Sequence, residues 1–256
     1  MTATSTNKEN TIVAFTLDFE TGGLDCTECA CTQIALHAVR LDTFETVDRF
    51  VRYIKPYNKQ DKGAKKRKVL KDKYSQEDST PMLYQDKALE YSAITMNMLE
   101  SMGEDIQVVA KDMVEFVKNN TLSNGRNTKP FLIGQNIGFD IGFLQQLMEY
   151  GGCAKEFANV FRGHKDFYGN FTPVYVDTIV LGQMALCHLP DITSYKLELL
   201  AERFGIELDD AHDADADVTA TTNIAMVCAK RMRSDSIDDN DMAFTKTEKS
   251  RKHFQI

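Results

Sequence analysis

The sequence predicts an α/β fold, and two kinds of pattern lead to this class. Short, dense apolar runs end at glycine or aspartate, which is typical of buried strands. Longer stretches repeat their apolar residues every three or four positions, which is typical of helices with one buried face. With 256 residues, 43% of them hydrophobic, the chain can bury a sizeable core. One domain with additions is therefore expected rather than two.

Five strands are predicted. The first three, at 12–17, 33–41 and 44–54, are expected to form an antiparallel meander, since the third is rich in alternating apolar and polar residues and follows the second after a short turn. Two more short apolar runs, at 131–134 and 174–176, predict the fourth and fifth strands.

Helices are predicted between and after the later strands. Their apolar residues recur at helical spacing, and Gly205 is placed to end one of them as a C-terminal cap. The predicted helices cover 104–119, the stretch that follows Asp140, 178–186, 195–204 and 213–231.

The main domain is expected at 11–231, with a terminal segment on each side and one insertion within it. Residues 1–10 are polar and expected to be disordered, and 232–256 form a polar tail. A basic insertion occupies about 58–90. Within it, 59–73 carry eight Lys or Arg against two Asp, a net charge of +6. This run is either a mobile, solvated surface loop or a contact for a phosphate backbone.

The overall charge and hydrophobicity exclude some classes of protein. The net charge of −8 excludes a generally basic nucleic-acid binder, although an acidic protein can still act on phosphates through metal ions. No apolar run approaches the roughly 18 residues of a membrane span, and the N-terminus lacks a signal-peptide core. The expected location is the cytoplasm, where the six cysteines stay reduced.

Asp18 and Glu20 stand at the end of the first predicted strand, just before Gly22 and Gly23. Residues two apart on a strand point to the same face, so two carboxylates are expected side by side. A divalent metal ion such as Mg²⁺ or Mn²⁺ would offset their repulsion. The alternative is a pair of solvated carboxylates in a turn.

Further carboxylates occur where other elements begin. Asp140 opens one helix, and 212–217 (His-Asp-Ala-Asp-Ala-Asp) lead into another. Capping accounts for Asp213 and Asp215, because acidic residues are favoured in a first helical turn. Asp217 lies one turn deeper and needs another partner. His212 is equally compatible with a structural role and with a general base.

Taken together, Asp18-x-Glu20, Asp140 and His212-x4-Asp217 resemble the three motifs of the DEDDh family of 3′→5′ exonucleases. This family includes the proofreading epsilon subunit of bacterial DNA polymerase III and RNase T. The resemblance covers about 11–231. Supporting motifs with the family's order and spacing are Thr21-Gly-Gly-Leu24, Ala93-Ile-Thr95, Asn136-x-x-Phe139-Asp140, Val176-Asp-Thr178 and Tyr195 through Ile206.

The resemblance implies an RNase H-like fold, a mixed five-stranded sheet flanked by helices, and a two-metal site. Two divalent ions, Mg²⁺ or Mn²⁺, would be held by the motif carboxylates, with His212 as general base for the attacking water. The implied metal ligands are Asp18, Glu20, Asp140 and Asp217. The implied substrate-binding residues are Thr21, Gly22, Leu24 and Asn136.

The implied function is a 3′→5′ exonuclease that releases nucleoside monophosphates from single-stranded 3′ ends, with DNA favoured over RNA. One alternative is a 3′→5′ exoribonuclease, since contacts to a 2′-hydroxyl cannot be read from the sequence. Another is an exonuclease-fold subunit that docks on a polymerase or another replication or repair protein, with the C-terminal tail as docking peptide. No membrane partner is expected.

Two departures from the family pattern bear on the site. Gln135 stands where many relatives have histidine, which would change how the substrate strand is held. Cys26, Cys29 and Cys31 lie close to the first motif and either bind zinc or are small buried thiols. Phe19 alternates away from the predicted ligands and is expected in the core.

Overall fold

The computed structural model describes residues 11–60, 80–122, 128–208 and 213–233. Several sequence-based predictions fall outside these residues. They are the N-terminal 1–10, most of the basic run, His212 and the tail from 234 onward. The division of the chain into a domain, an insertion and a tail therefore stays a prediction.

A mixed five-stranded sheet forms the centre of the molecule, in the order β3-β2-β1-β4-β7. The strands are β1 (Val13–Thr21), β2 (Cys31–Arg40), β3 (Thr46–Tyr53), β4 (Leu132–Gly134), β5 (Gly163–Lys165), β6 (Phe171–Pro173) and β7 (Tyr175–Asp177). The first three form the predicted antiparallel meander, and β4 and β7 run parallel to β1. Strands β5 and β6 make a separate two-stranded hairpin.

Eight helices are assigned within the described residues. They are α1 (Asp86–Tyr91), α2 (Met96–Met102), α3 (Ile106–Asn120), α4 (Gly138–Tyr150), α5 (Ala154–Val160), α6 (Thr178–Leu186), α7 (Leu197–Phe204) and α8 (Ala214–Met232). Gly205 ends α7 in a left-handed conformation, as its capping position predicts. In this part of the chain no helix combines the length and the apolar character that crossing a membrane would need.

Strand β1 separates two packing layers because its side chains alternate between the faces of the sheet. Phe15, Leu17 and Phe19 enter a core that α3, α4 and α5 cover. Ala14 and Thr16 point to the other face, where α8 lies. The expected core position of Phe19 is confirmed, and the even-numbered residues of β1 are left to face α8.

Two strand boundaries differ from the predictions. β1 continues to Thr21 because its pairing with β2 extends to Cys31, so Asp18 and Glu20 lie within the strand. Phe44, predicted in β3, occupies the preceding turn with φ 61°. Its side chain is nevertheless buried, which explains why the apolar alternation seemed to include it.

The last part of the predicted insertion, from 80 onward, belongs to the described structure. Pro81 and Leu83 pair with Asn58 and Cys29 in isolated bridges, and α1 and α2 follow. These two helices, with α5 and the β5–β6 hairpin, were not predicted. Each is short, so few apolar residues repeat within it and periodicity gives little signal.

Candidate active site

Three carboxylates converge at the C-terminal end of β1. Asp18 and Glu20 project from the same face of β1, and Asp217 approaches from the first turn of α8. One oxygen from each residue can be chosen so that all lie within 4.8 Å of one another. Among the described residues, these three form the one group of three or more potential ligands that could hold a metal ion.

Helix α8 reaches the sheet because small residues face it. Ala214 and Val218 pack on Ala35 of β2, the cross-strand neighbour of Asp18. A larger side chain at Ala35 would hold the helix away from β1. Asp217 therefore meets the β1 carboxylates through the close packing of α8 on β2.

Asp140 lies in the first turn of α4 and is 3% exposed. Its Oδ1 accepts a hydrogen bond of 3.1 Å from the backbone N–H of Phe19. It borders the same cleft as the other three carboxylates but does not belong to the close group of ligand atoms. The structure thus brings three of the four predicted ligands together and places the fourth beside them.

The carboxylates strongly disfavour one another's ionisation. Burial raises the pKa of Asp18, and Asp140, Glu20, Asp217 and Asp213 raise it further. Burial and the charges of Asp217 and Asp213 raise the pKa of Glu20 to about 8. Burial also raises the pKa of Asp140, although the Phe19 N–H opposes the change.

Such a site suits a divalent cation. The donor atoms are all carboxylate oxygens, which Mg²⁺ and Mn²⁺ prefer. A bound cation would also offset the repulsion between the carboxylates. The chemistry of the donor set and the proximity of the oxygens therefore both fit a metal centre.

A cleft of about 480 Å³ opens in front of the carboxylates. Its opposite wall consists of Gln85, Lys87 and Tyr91 at α1, together with Leu197 and Glu198 at the start of α7. The α1 part of this wall was not predicted from the sequence, because most of α1 falls inside the predicted insertion, whereas Leu197 and Glu198 lie in the helix predicted at 195–204. Lys87 and Tyr91 are four residues apart, and that spacing was the available signal for a shared helical face.

The predicted substrate-binding residues take different positions. Thr21, Leu24 and Asn136 line the cleft, and the Leu24 side chain is 85% exposed. Gly22 instead faces the chain before α1, where a Cβ would lie 2.5 Å from the carbonyl oxygen of Leu83. Glycine is needed there for close backbone approach.

Asn136 and Gln135 connect the cleft to α6 and to the segment before α7. Asn136 has φ 53°, and its N–H donates to Asp177 Oδ1 at 3.1 Å. Gln135 accepts from Thr178 Oγ1 at 2.5 Å and donates to the carbonyl of Tyr195 at 2.8 Å. The residue that replaces the family's usual histidine thus anchors the segment that leads into α7.

Of the three cysteines beside the first motif, Cys29 and Cys31 are buried and Cys26 is half-buried. Cys31 donates to Gln146 Oε1 at 3.3 Å, and burial raises the pKa of its thiol to about 12. Zinc binding needs thiolates, which such a pKa disfavours. Among the described residues the cysteines form no group of three potential metal ligands.

Comparison with known proteins gives three findings. A family model described as Exonuclease, RNase_T, matches residues 15–225. DNA polymerase III PolC-type from Clostridium perfringens is 30% identical over 150 residues, which are 58% of this chain and 8% of that protein.

The third finding is a likeness to solved structures. Escherichia coli exonuclease I, in complex with a dT13 oligonucleotide, matches with a TM-score of 0.58 and 20% identity over 90% of this chain and 43% of that one. Exonuclease I from Methylocaldum szegediense matches with a TM-score of 0.56 and 20% identity over 87% of this chain and 41% of that one. These likenesses confirm the predicted fold. The chain spans less than half the length of either solved relative.

Proposed function

The chain belongs to the exonuclease family, and on that premise we propose that it is a metal-dependent 3′→5′ exonuclease acting on single-stranded nucleic acid. The observation that carries the proposal is the convergence of Asp18, Glu20 and Asp217, whose ligand atoms lie within 4.8 Å of one another at the edge of an open cleft. Asp140 borders the same cleft.

Asp18, Glu20, Asp140 and Asp217 would hold two divalent ions, Mg²⁺ or Mn²⁺. When bound, such ions supply Lewis acidity, which polarises the scissile phosphate and stabilises charge on the leaving 3′-oxygen. The carboxylates suit this role because burial and mutual repulsion raise the pKa of Asp18 and Glu20, and a divalent cation would offset both effects.

His212 would accept the proton of the attacking water. This role is implied by the family motif in the sequence, and His212 lies outside the described residues. A histidine with a pKa near 6.5 is suited to proton transfer at neutral pH.

The terminal nucleotide would bind between the β1 end and α1. Leu24 offers an exposed apolar side chain to a base, and Tyr91, 64% exposed, offers a ring on which a base can stack. Lys87 supplies a cation to a cleft rich in carboxylates, where a phosphate would otherwise be repelled. Thr21 and Asn136 complete the lining, and Gly22 lets the α1 wall approach.

DNA is the proposed substrate. The solved Escherichia coli exonuclease I is in complex with a dT13 oligonucleotide, and the Clostridium perfringens relative is a DNA polymerase. The alternative is an exoribonuclease on the same fold. A polymerase or another replication or repair protein is a proposed partner, with 232–256 as the docking segment, and a cytoplasmic location stays a prediction.

Matched 3′-labelled oligonucleotides test the proposal directly. We expect single-stranded DNA to shorten from its 3′ end in Mg²⁺ or Mn²⁺, with release of nucleoside monophosphates and no reaction in excess chelator. A duplex with a blunt 3′ end is the matched control and should be cut more slowly. Faster loss of the RNA oligonucleotide would favour the exoribonuclease, and metal-independent cleavage would contradict the proposal.

A pull-down with the full chain and with a chain ending at 233 tests the docking role. Retention of a polymerase or repair protein by the full chain alone would support it. Equal retention by both chains would contradict it.

A further inference from the structure

The start of α8 carries three aspartates at alternate positions, and only one joins the carboxylate group. Asp213 accepts a hydrogen bond of 3.2 Å from Gln33 Nε2. Asp215 Oδ1 lies 2.5 Å from His37 Nε2, and its Oδ2 lies 3.2 Å from Arg49 Nη1. Because a carboxylate can only accept, the His37 ring nitrogen donates. Asp213 makes no side-chain capping bond, so the expected capping role does not describe it.

The donors lie on strands that extend the surface formed by β1. Gln33 is the cross-strand partner of Glu20, and His37 is the partner of Thr16. Arg49 is in turn the partner of His37 on β3. Directly paired residues share a face, so Gln33, His37 and Arg49 all point toward α8. We refer to these three residues as the donor row.

The approach of Asp217 to β1 has an electrostatic cost. Ligand oxygens of Asp18, Glu20 and Asp217 lie within 4.8 Å of one another, so the three carboxylates repel one another when they are ionised. Without metal, this repulsion pushes the first turn of α8 away from β1. The donor row opposes that movement, because it holds Asp213 and Asp215, which precede Asp217, against strands β2 and β3.

His37 is the least replaceable member of the row. Its side chain is fully buried, and within the described structure its Nδ1 has no hydrogen-bond partner. A buried polar ring with one partner costs stability unless that partner bond is strong. The short contact with Asp215 is the bond that can offset this cost.

We propose that the donor row, with His37 at its centre, positions Asp217 for metal binding by fixing the first turn of α8 on the sheet. The inference rests on the proposed metal-dependent function. The donor row acts through α8, and none of its members is assigned a contact with metal or substrate.

Metal binding without catalysis provides the test. The rise in Tm with added Mg²⁺ and the calorimetric titration with Mn²⁺ are measured for the wild type, His37→Leu, His37→Gln and Arg49→Met. We expect His37→Leu to need about tenfold more metal, as when residues that support a metal ligand are lost. Gln can place its amide nitrogen near the position of His Nε2, so His37→Gln should recover most of the affinity.

Thr222→Val is the matched control. It removes another buried hydrogen bond between α8 and the sheet, the 2.9 Å contact with Thr16, farther along the helix. It should lower the Tm without shifting the metal midpoint. Arg49 is 52% exposed, so Arg49→Met should fold and should raise the midpoint in the same direction by a smaller factor.

Wild-type midpoints in both His37→Leu and Arg49→Met would overturn the inference and leave the proposed function intact. If His37→Leu does not fold, an unchanged midpoint in Arg49→Met alone overturns it. Failure of the wild type to bind either metal would instead overturn the metal site itself, and the positioning role with it.

Discussion

At the residue scale, Asp18 shows how strongly the site depends on a cation. Four other carboxylates raise its pKa, those of Glu20, Asp140, Asp213 and Asp217. Such a cluster destabilises the metal-free fold and is available to bind positive charge. Variants that remove one charge and variants that remove the general base should therefore have different effects on metal binding.

Asp18→Asn and His212→Ala separate these roles. Asp18→Asn removes a charge at nearly constant shape, so we expect activity and metal binding to be lost while the metal-free Tm rises. His212→Ala should retain metal binding and lose about 10²–10⁴ in kcat, the usual contribution of a general base. Calorimetry and a cleavage gel measure the two effects. Full activity in His212→Ala would refute its assignment as the base.

Glu20 predicts how the stability of the metal-free protein depends on pH. Its pKa rises from 4.5 to about 8 on folding, so the folded state binds the proton more tightly than the unfolded chain. The resulting contribution of Glu20 to the free energy of unfolding is fully present below about pH 4.5 and is lost as the pH rises through about 8. We expect the Tm in chelator to fall between about pH 4.5 and pH 8, and this fall to be smaller in Glu20→Gln. An equal fall in both proteins would contradict the prediction.

At the element scale, the α1 wall depends on the close approach of two backbone segments. Gly22→Ala would place a Cβ 2.5 Å from the carbonyl oxygen of Leu83 and 3.2 Å from Cα of Tyr84. Because both atoms belong to the backbone, the chain leading into α1 must move. We expect a destabilisation of about 1–3 kcal/mol and a higher KM for oligonucleotides, measured by denaturant unfolding and steady-state kinetics.

Gly138→Ala is the control for that change. Gly138 lies in the first turn of α4, and an added Cβ there meets no atom within 4 Å. It should leave KM near the wild-type value. A destabilised Gly22→Ala with an unchanged KM would show that α1 does not contact the substrate.

The elements also show which parts of the structure the sequence could predict. The sheet strands and α3, α4, α6, α7 and α8 have apolar repeats long enough to detect, and α6 was predicted at its observed bounds. The resemblance to the exonuclease motifs grouped Asp18, Glu20 and Asp217, and the structure places their ligand atoms within 4.8 Å of one another. By contrast, α1 was not predicted because it lies in a polar stretch. Phe44 was predicted in a strand because its side chain is apolar and buried, although it lies in a turn.

The roles of Asp213 and Asp215 could not be predicted for a different reason. Their partners, Gln33 and His37, are 180 and 178 residues away in the chain. Helix capping is a local explanation that needs no such partner, so it is the natural interpretation of an isolated sequence. Strand register determines whether these aspartates cap the helix or bind the donors on β2, and register is a property of the assembled sheet.

At the scale of the whole molecule, charge is distributed unevenly. The chain has a net charge of −8, yet 59–73 carry a net of +6. A negatively charged protein with carboxylates at its site repels a phosphate backbone, and a concentrated basic segment can reverse this locally. That segment lies mostly outside the described residues, and its proposed role is substrate capture.

Neutralising Lys65, Lys66, Arg67 and Lys68 with glutamine should raise KM and flatten its dependence on salt, because fewer counterions are released on binding. The value of kcat should stay close to that of the wild type, as expected when only uniform binding is lost. Steady-state kinetics at several salt concentrations give both quantities.

The C-terminal tail offers a control with the same change in charge. Neutralising four of its cations, Lys246, Lys249, Arg251 and Lys252, alters the net charge equally at another place in the chain. If both quadruple variants change the salt dependence alike, net charge is responsible and the basic segment has no special role.

The bridge between Asn58 and Pro81 has a consequence for how this chain can diversify. Beside the bridge, the N–H of Lys59 donates to the carbonyl of Thr80 at 2.8 Å, so the two ends of the intervening stretch are already joined. Doubling the length of a flexible loop costs only about 0.6 kcal/mol once its ends are held together. A change in the length of chain between Lys59 and Thr80 should therefore alter the free energy of unfolding little, so evolution or a protein engineer can use this position for insertions.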